Sequence, residues 1–409
     1  MNTPESQTST RLTAADSAFA KMIEHGLSRR RFLQGGATAM GLFLAANPLA
    51  QAVAAATRPG SQLLGFQSVP ISTEDRFSVP EGYIAEPLIS WGDPLLPGAP
   101  AFDASGTQPS QAQAGQFGDN TDGMSLFPLS DKRAVLAVNN EYTNYRLLFD
   151  HKGTALTAVD VAKAQAAHGV SIFEIERHVD GSWHSLQSSA YNRRITANTP
   201  MQLTGPAAGH PLLKTHADAS GTQVLGTFNN CANGQTPWGT YLTCEENFDG
   251  YFAHAEGKQA TLNARQKRYG LKAEGRGYNW HQFDARFDMA HEPNEPNRHG
   301  WVVEIDPLDP TSTPKKRTAL GRFKHENAAV TLADNGQVVV YLGDDERGEH
   351  LYKFVSEQRY NPDDSTANTD LLETGTLYVA RFDAAEGELQ GTGEWLALRH
   401  GEHGLTFAN

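Results

Sequence analysis

The chain has 409 residues, with 34 Lys+Arg against 47 Asp+Glu and a formal net charge of −13. That balance excludes a protein built to grip a phosphate backbone, which needs a basic face, and a hydrophobic fraction of 39% excludes a disordered polyelectrolyte. Two cysteines exclude both a disulfide framework and a four-thiolate zinc site.

Residues 28–33 read Ser28-Arg29-Arg30-Arg31-Phe32-Leu33, followed by a Gly/Ala-rich apolar run and then Pro48-Leu49-Ala50-Gln51-Ala52. A basic n-region, a short h-region and an A-x-A-like cleavage site describe a twin-arginine signal peptide over residues 1–55. The apolar run is shorter than the roughly 20 residues a span requires. The mature chain, 56–409, is therefore expected in the periplasm or outside the cell, with no stable membrane span. Removing the leader makes it more acidic still. The twin-arginine machinery exports folded proteins, often with a cofactor already loaded, which sharpens the expectation of a bound metal.

From Gly60 to Pro100 six prolines block long helices and the segment reads as loop. Short strands follow: Ala134–Val138, then the alternating Ser171-Ile172-Phe173-Glu174-Ile175-Glu176, which pairs through Asp180-Gly181 with Ser182-Trp183-His184. Thr157–His168 is the one clear helix of this stretch. Further strands are expected at Trp301–Asp306, His350–Val355 and Gly375–Asp383, with a hairpin turning at Asp334-Asn335-Gly336 into Val338–Leu342. This irregular recurrence fits an all-β fold, a β-propeller with insertions in preference to a two-sheet sandwich, with few capping helices. Residues 256–298 break the pattern. Their basic, helix-permissive Ala260–Leu271 reads as a solvated insertion, or as a cap whose Arg265, Lys267, Arg268 and Arg276 draw in an anion.

Serine-nucleophile elbows, zinc-protease motifs and phosphate-cradling glycine loops are missing. Asp16-Ser17-Ala18 resembles a phosphatase nucleophile motif but lies in the leader. What remains is a set of acidic clusters at strand ends: Gly118-Asp119-Asn120-Thr121-Asp122-Gly123, Asn139-Asn140-Glu141-Tyr142, Cys231-Ala232-Asn233-Gly234, Cys244-Glu245-Glu246-Asn247, Lys324-His325-Glu326-Asn327 and Gly343-Asp344-Asp345-Glu346-Arg347. Carboxylate and amide oxygens suit Ca²⁺, and a thiolate among them suits a softer or higher-valent transition ion. Each cluster alone also reads as a solvated turn. Cys231 and Cys244 fit either a disulfide or a metal thiolate beside a core cysteine.

On these residues, together with Pro237-Trp238-Gly239-Thr240-Tyr241-Leu242-Thr243 and His299-Gly300-Trp301-Val302-Val303-Glu304-Ile305-Asp306, the chain resembles the PhoX-type alkaline phosphatases over nearly all of its mature length. The resemblance implies a six-bladed β-propeller with a Ca²⁺- and Fe³⁺-dependent centre that hydrolyses small phosphate monoesters, in a protein expected to be monomeric. It implies Cys231 as the iron thiolate, and Glu246 and Glu326 as the carboxylates of the catalytic cluster. Glu141, Asp345 and Glu346 are further candidate metal ligands, and the resemblance disfavours a disulfide. An Arg-Pro-Glu segment and an Asp-bearing segment that the family carries downstream do not occur before Asn409. The 409 residues are therefore expected to be the front of a longer propeller, poorly folded and inactive alone. Readings from other classes are a non-catalytic calcium-binding propeller and another metal-dependent esterase, such as a lactonase or phosphodiesterase.

Overall fold

The computed structural model describes residues 66–383 and 390–406; the twin-arginine leader expected over residues 1–55 lies outside them. The chain divides into two compact units, one ending at Glu86 and one running from Pro87 to Asn409. The first has neither helix nor strand among its described residues, and Phe66 meets Tyr83 edge to face at 5.8 Å. The second carries every helix and strand among the described residues.

Here the chain is mostly β-sheet with few helices, as expected. The first sheet is an antiparallel meander of β1 (Thr121–Ser130), β2 (Arg133–Asn140), β3 (Gly169–Arg177) and β4 (Trp183–Ser185), with β5 (Arg193–Ile195) also on β3. The Asp180-Gly181 hairpin forms as read: Glu176 faces His184, and Gly181 takes a positive φ of 91°. The second sheet joins β6 (Pro200–Thr204), β7 (Gln223–Leu225), β8 (Asn230–Gln235), β9 (Tyr241–Glu245), β10 (Val302–Ile305) and β11 (Lys315–Arg317) in the order β7-β6-β11-β10-β9-β8. It is not a meander, because β6 and β11 pair in parallel. The third runs in sequence order through β12 (Ala329–Leu332), β13 (Gln337–Gly343), β14 (Leu351–Arg359), β15 (Gly375–Asp383) and β16 (Thr392–Ala397).

Among the described residues four α-helices interrupt the sheets: α1 (Ser110–Gly115), α2 (Tyr145–Leu148), α3 (Ala158–Ala167) and α4 (Ala264–Arg268). The third starts where expected because Thr157 and Asp160 form a capping box. The basic stretch from Ala260 to Leu271 yields only the five residues of α4. The surrounding segment is no solvated flap. Its Trp280, Phe287 and Met289 are buried with Phe228, Tyr251 and Phe252 in one aromatic core, and Tyr251 stacks on Tyr278 at 4.2 Å. Proline, glycine and aromatic spacing hid this, because the apolar residues follow neither a 3.6 nor a 2.0 period.

Strands β9 and β10 are buried along their whole length, as central strands covered on both faces must be. Beside them β8 packs against β1 and β2 of the first sheet and β12 of the third. All three sheets thus converge on β8. Behind it, Lys316 and Glu245 are fully buried and pair at 2.6 Å; the lysine also donates to Arg298 O at 3.1 Å. The remaining Glu245 oxygen accepts the Gly300 and Trp301 N–H groups. Removing one partner of such a pair strands the other charge in the core. Lys316→Met is therefore expected to destabilise the fold by about 3–5 kcal/mol, read from the urea midpoint; a loss below about 1 kcal/mol would contradict it.

Candidate metal centre

Two β-bulges build the centre. Between Asn230 and Asn233 the β8–β9 register slips, leaving Cys231 and Ala232 in the bulge. The β1–β2 register slips likewise between Thr121 and Met124, leaving Asp122 and Gly123. A bulge re-aims side chains off the regular alternation, and here the two aim at each other: Cys231 Sγ donates to Asp122 Oδ2 at 3.3 Å. The bulges meet backbone to backbone. A Cβ on Gly123 would come within 2.8 Å of the Ala232 carbonyl carbon, so that position tolerates glycine alone.

Asn139, wholly buried on β2, locks the arrangement. Its Nδ2 donates to Cys231 O and, at 3.1 Å, to Ala232 O. Its Oδ1 accepts from Thr243 Oγ1 at 2.8 Å and from the Tyr241 hydroxyl at 2.9 Å; that hydroxyl also lies 2.8 Å from Gly123 O. One amide therefore binds the β8 bulge directly and reaches the β1 bulge through the Tyr241 hydroxyl, with a donor and an acceptor that no carboxylate would supply.

The carboxylates sit just past strand ends. Glu141 follows β2, Glu246 follows β9, and Glu326 precedes β12. Asn229, at φ 51°, ties the first two: its N–H donates to Glu141 O at 3.0 Å and its carbonyl accepts from Glu246 N at 2.9 Å. Glu326 O accepts from Ala232 N at 3.0 Å, which brings the third sheet onto the same bulge. Ligand-type atoms of Asp122, Glu141 and Cys231 lie within 4.8 Å of one another, as do those of Cys231, Glu246 and Glu326. Cys231 belongs to both groups. It stands at the middle of a five-residue cluster.

Of the candidates read from sequence, the structure brings Cys231, Glu141, Glu246 and Glu326 together. Asp345 faces Glu246 and contributes to the rise in its pKa, but belongs to neither triad. Glu346 stands apart, its carboxylate held by Lys324 Nζ at 2.6 Å. Both cysteines are free; Cys244 is a fully buried core residue. The residue sequence reasoning missed as a ligand is Asp122. It lies in a quoted cluster, but only the bulge points it at Cys231.

The electrostatics follow from the crowding. Burial, then Asp122 and Glu326, raise the Glu141 carboxyl to about 7. Burial, then Glu141, the hydrogen bond with Asp345 and Glu326, raise Glu246 to about 8. Glu326 is raised by burial and Asp345, and the Cys231 thiol is pushed far up by burial and Asp122. The neighbouring Glu245 goes the other way, to about 2, because Lys316 and His299 outweigh its desolvation. Adjacent residues on one strand thus carry opposite loads: Glu245 is neutralised by the chain itself, and Glu246 is not. Carboxyl oxygens crowded around one thiol form a donor set for hard cations together with one softer or higher-valent transition ion.

A recess beside the cluster is lined by Glu141, Tyr142, Asn229, Asn247, Arg276 and Tyr278. Arg276 reaches it while paired at 2.6 Å with buried Asp249, which also meets Lys324 at 3.4 Å. Arg268, by contrast, pairs with Glu349 at 2.8 Å.

The family model for alkaline phosphatase PhoX matches residues 64–409. The chain belongs to the PhoX family. A solved structure, Pseudomonas fluorescens PhoX in complex with vanadate, a transition state analogue, matches it with a TM-score of 0.82 and 57% identity. The match covers 85% of this chain and 60% of that one, so the chain spans about three-fifths of that relative's length. Among curated proteins nothing matches. No helix among the described residues is long and apolar enough to cross a membrane.

A carboxyl with a raised folded-state pKa keeps its proton after the unfolded chain has lost it. Without cations, stability therefore falls as pH rises from about 4.5 through about 8 for Glu141 and Glu246. Chelator-treated protein is expected to melt several degrees lower at pH 8.5 than at 5.5, by roughly 1 kcal/mol per carboxylate after solvent screening. Divalent cations are expected to restore more at the higher pH. A melting temperature that climbs over this range would contradict the assignment.

Proposed function

We propose that this chain carries the metal centre of an exported phosphomonoesterase that releases inorganic phosphate from small phosphate monoesters. The observation that carries the proposal is the convergence of Asp122, Glu141, Glu246 and Glu326 on the Cys231 thiol, beside a recess with one arginine. The vanadate bound by the Pseudomonas fluorescens relative supports phosphate-ester chemistry.

The donor set fits the ions. Cys231 would hold Fe³⁺ as a thiolate, with Glu246 and Glu326 as the catalytic carboxylates of the cluster. Glu141 and Asp122 would hold Ca²⁺ through oxygen, with Asp345 as a further oxygen donor. Bound cations supply Lewis acidity that offsets phosphate charge and stabilises the charge growing in the transition state. The chain's own residues orient the ester: Arg276 offers a planar fork to phosphate oxygens, Asn247 offers a neutral amide, and Tyr142 and Tyr278 form the walls. Asp249 holds the Arg276 guanidinium in place from behind. No serine or histidine nucleophile is needed, in keeping with the missing motifs.

The same reading extends to architecture and place. Two of the three sheets run essentially as up-and-down meanders, as propeller blades do, and all three sheets contribute residues to the centre, which supports the six-bladed propeller. The Ser28–Leu33 motif supports passage through the twin-arginine machinery to the periplasm. The acidic chain leaves no role for nucleic acid.

In the complete protein, Cys231→Ala and Glu326→Ala are each expected to lower kcat on p-nitrophenyl phosphate at least a hundredfold, with loss of bound iron by elemental analysis. Retention of near wild-type turnover would overturn the site, and calcium bound without any turnover would instead favour a scaffold. Arg276→Ala is expected to raise KM about tenfold, a loss of roughly 1.4 kcal/mol of ground-state binding, with a smaller change in kcat. An unchanged KM would remove the arginine from the substrate recess.

A further inference from the structure

Outside that centre, one other cluster of metal-ligating side chains stands among the described residues: His216, His291 and Glu292. A ligand-type atom of each lies within 4.8 Å of those of the other two. The two imidazoles are exposed and stack at 5.4 Å with an interplanar angle of 24°. Glu292 is buried at 6% exposure, and among the described residues its ion-pair partner is His216. Its Oε1 accepts from His216 N at 3.2 Å and lies 2.9 Å from His216 Nδ1, while Oε2 accepts from the same N–H at 3.3 Å. A buried carboxylate answered only by a histidine has no permanent positive charge beside it. Two imidazoles stacked over it offer nitrogen donors and would repel each other if both were protonated.

The backbone under the cluster is pinned. His216 sits on the connection between β6 and β7, and Asn294, Asn297 and Arg298 donate to the carbonyls of Lys214, Leu212 and Leu213 at 3.0, 3.0 and 2.6 Å. These residues follow His291 and Glu292 directly, so the two segments that supply the donors are tied to each other. The donors are preorganised. Strand β7, into which the His216 connection runs, lies at the opposite edge of its sheet from β8, five inter-strand spacings or roughly 24 Å away. The cluster shares no residue with the centre built on Cys231.

We propose that His216, His291 and Glu292 form a second, solvent-open cation site that takes a divalent transition ion of the zinc and copper class. Two nitrogens and one carboxylate oxygen suit such ions far better than they suit Ca²⁺, which takes six or more oxygens. Three protein donors leave a coordination position for water or an added ligand. A cation there would be shared by the Glu292 carboxylate and both imidazoles.

The test uses the full chain with its Cys231 centre loaded, titrated with Zn²⁺ by calorimetry and with Cu²⁺ by electron paramagnetic resonance. One added equivalent is expected to bind with a Kd in the micromolar range, with a copper signal split by two nitrogens. The double variant His216→Ala/His291→Ala is expected to weaken binding at least tenfold and to lose that splitting. Glu292→Gln, which keeps the side-chain shape and removes the charge, is expected to weaken it as well and decides the matter if the double variant misfolds. His178→Ala/His184→Ala removes the other stacked histidine pair, 4.0 Å apart on the β3–β4 hairpin, and is expected to change nothing. Equal binding by wild type and the His216/His291 variant, or no saturable binding by wild type, would overturn the site. Neither outcome bears on phosphatase activity, so the two proposals fail separately.

Discussion

The constraint on which this molecule depends is mutual repulsion. Asp122, Glu141, Glu246 and Glu326 crowd one cysteine where three sheets meet, with Arg276 and Lys324 held back by Asp249. Charges this close in a partly dry site cannot all ionise against each other. Burial and this crowding raise the pKa of Glu141, Glu246 and Glu326 and of the Cys231 thiol, which donates to Asp122. The surrounding fold exists to hold these groups closer than they would choose to be.

Neutral amides do the holding. The Asn139 amide holds the β8 bulge, the Asn229 amide accepts from Asn247 N at 2.6 Å and donates to the Tyr251 hydroxyl at 3.2 Å, and Asn230 Nδ2 donates to Thr227 and Thr243 at 2.7 and 2.9 Å. An amide offers donors and an acceptor with no net charge, so it can brace an anionic cluster from within without neutralising it. A lysine at Asn139 would supply donors but no acceptor for Thr243 and Tyr241, and would put a charge beside the cluster. The cationic braces instead lie one layer back, where Lys316 meets Glu245 and Arg317 meets Glu304 at 2.7 Å.

Much of this was legible in the sequence, for reasons that differ by residue. Asp180-Gly181 and Asn335-Gly336 dictate hairpins because their backbones demand positive φ, and Thr157 with Asp160 dictates a helix start. Cys231, Glu246 and Glu326 were legible through their flanking motifs rather than through spacing, since 80 residues of chain separate the last two. The remainder was hidden by non-local physics. Register slips are invisible to a period-two reading, so Asp122 passed for a turn residue. The parallel β6–β11 pair joins segments more than 100 residues apart, and no local pattern encodes it. The aromatic core under residues 256–298 lies on irregular backbone, where hydrophobic periodicity has no meaning.

The contrast between Glu245 and Glu246 separates structure from function more sharply than burial does. Both are almost wholly buried, and they are neighbours on one strand end. Successive side chains leave a strand on opposite faces, so one points back to Lys316 and the other out to Glu141 and Asp345. The first is held near 2 by charges the chain supplies; the second is pushed to about 8 by charges the chain declines to balance. A carboxylate that folding leaves uncompensated at such cost marks where the protein expects a cation from outside. The second cluster rests on geometry instead: His216 and His291 stack beside buried Glu292. What distinguishes the two places is the donor set: oxygen and sulfur around Cys231, imidazole nitrogen beside Glu292, and hence different ions.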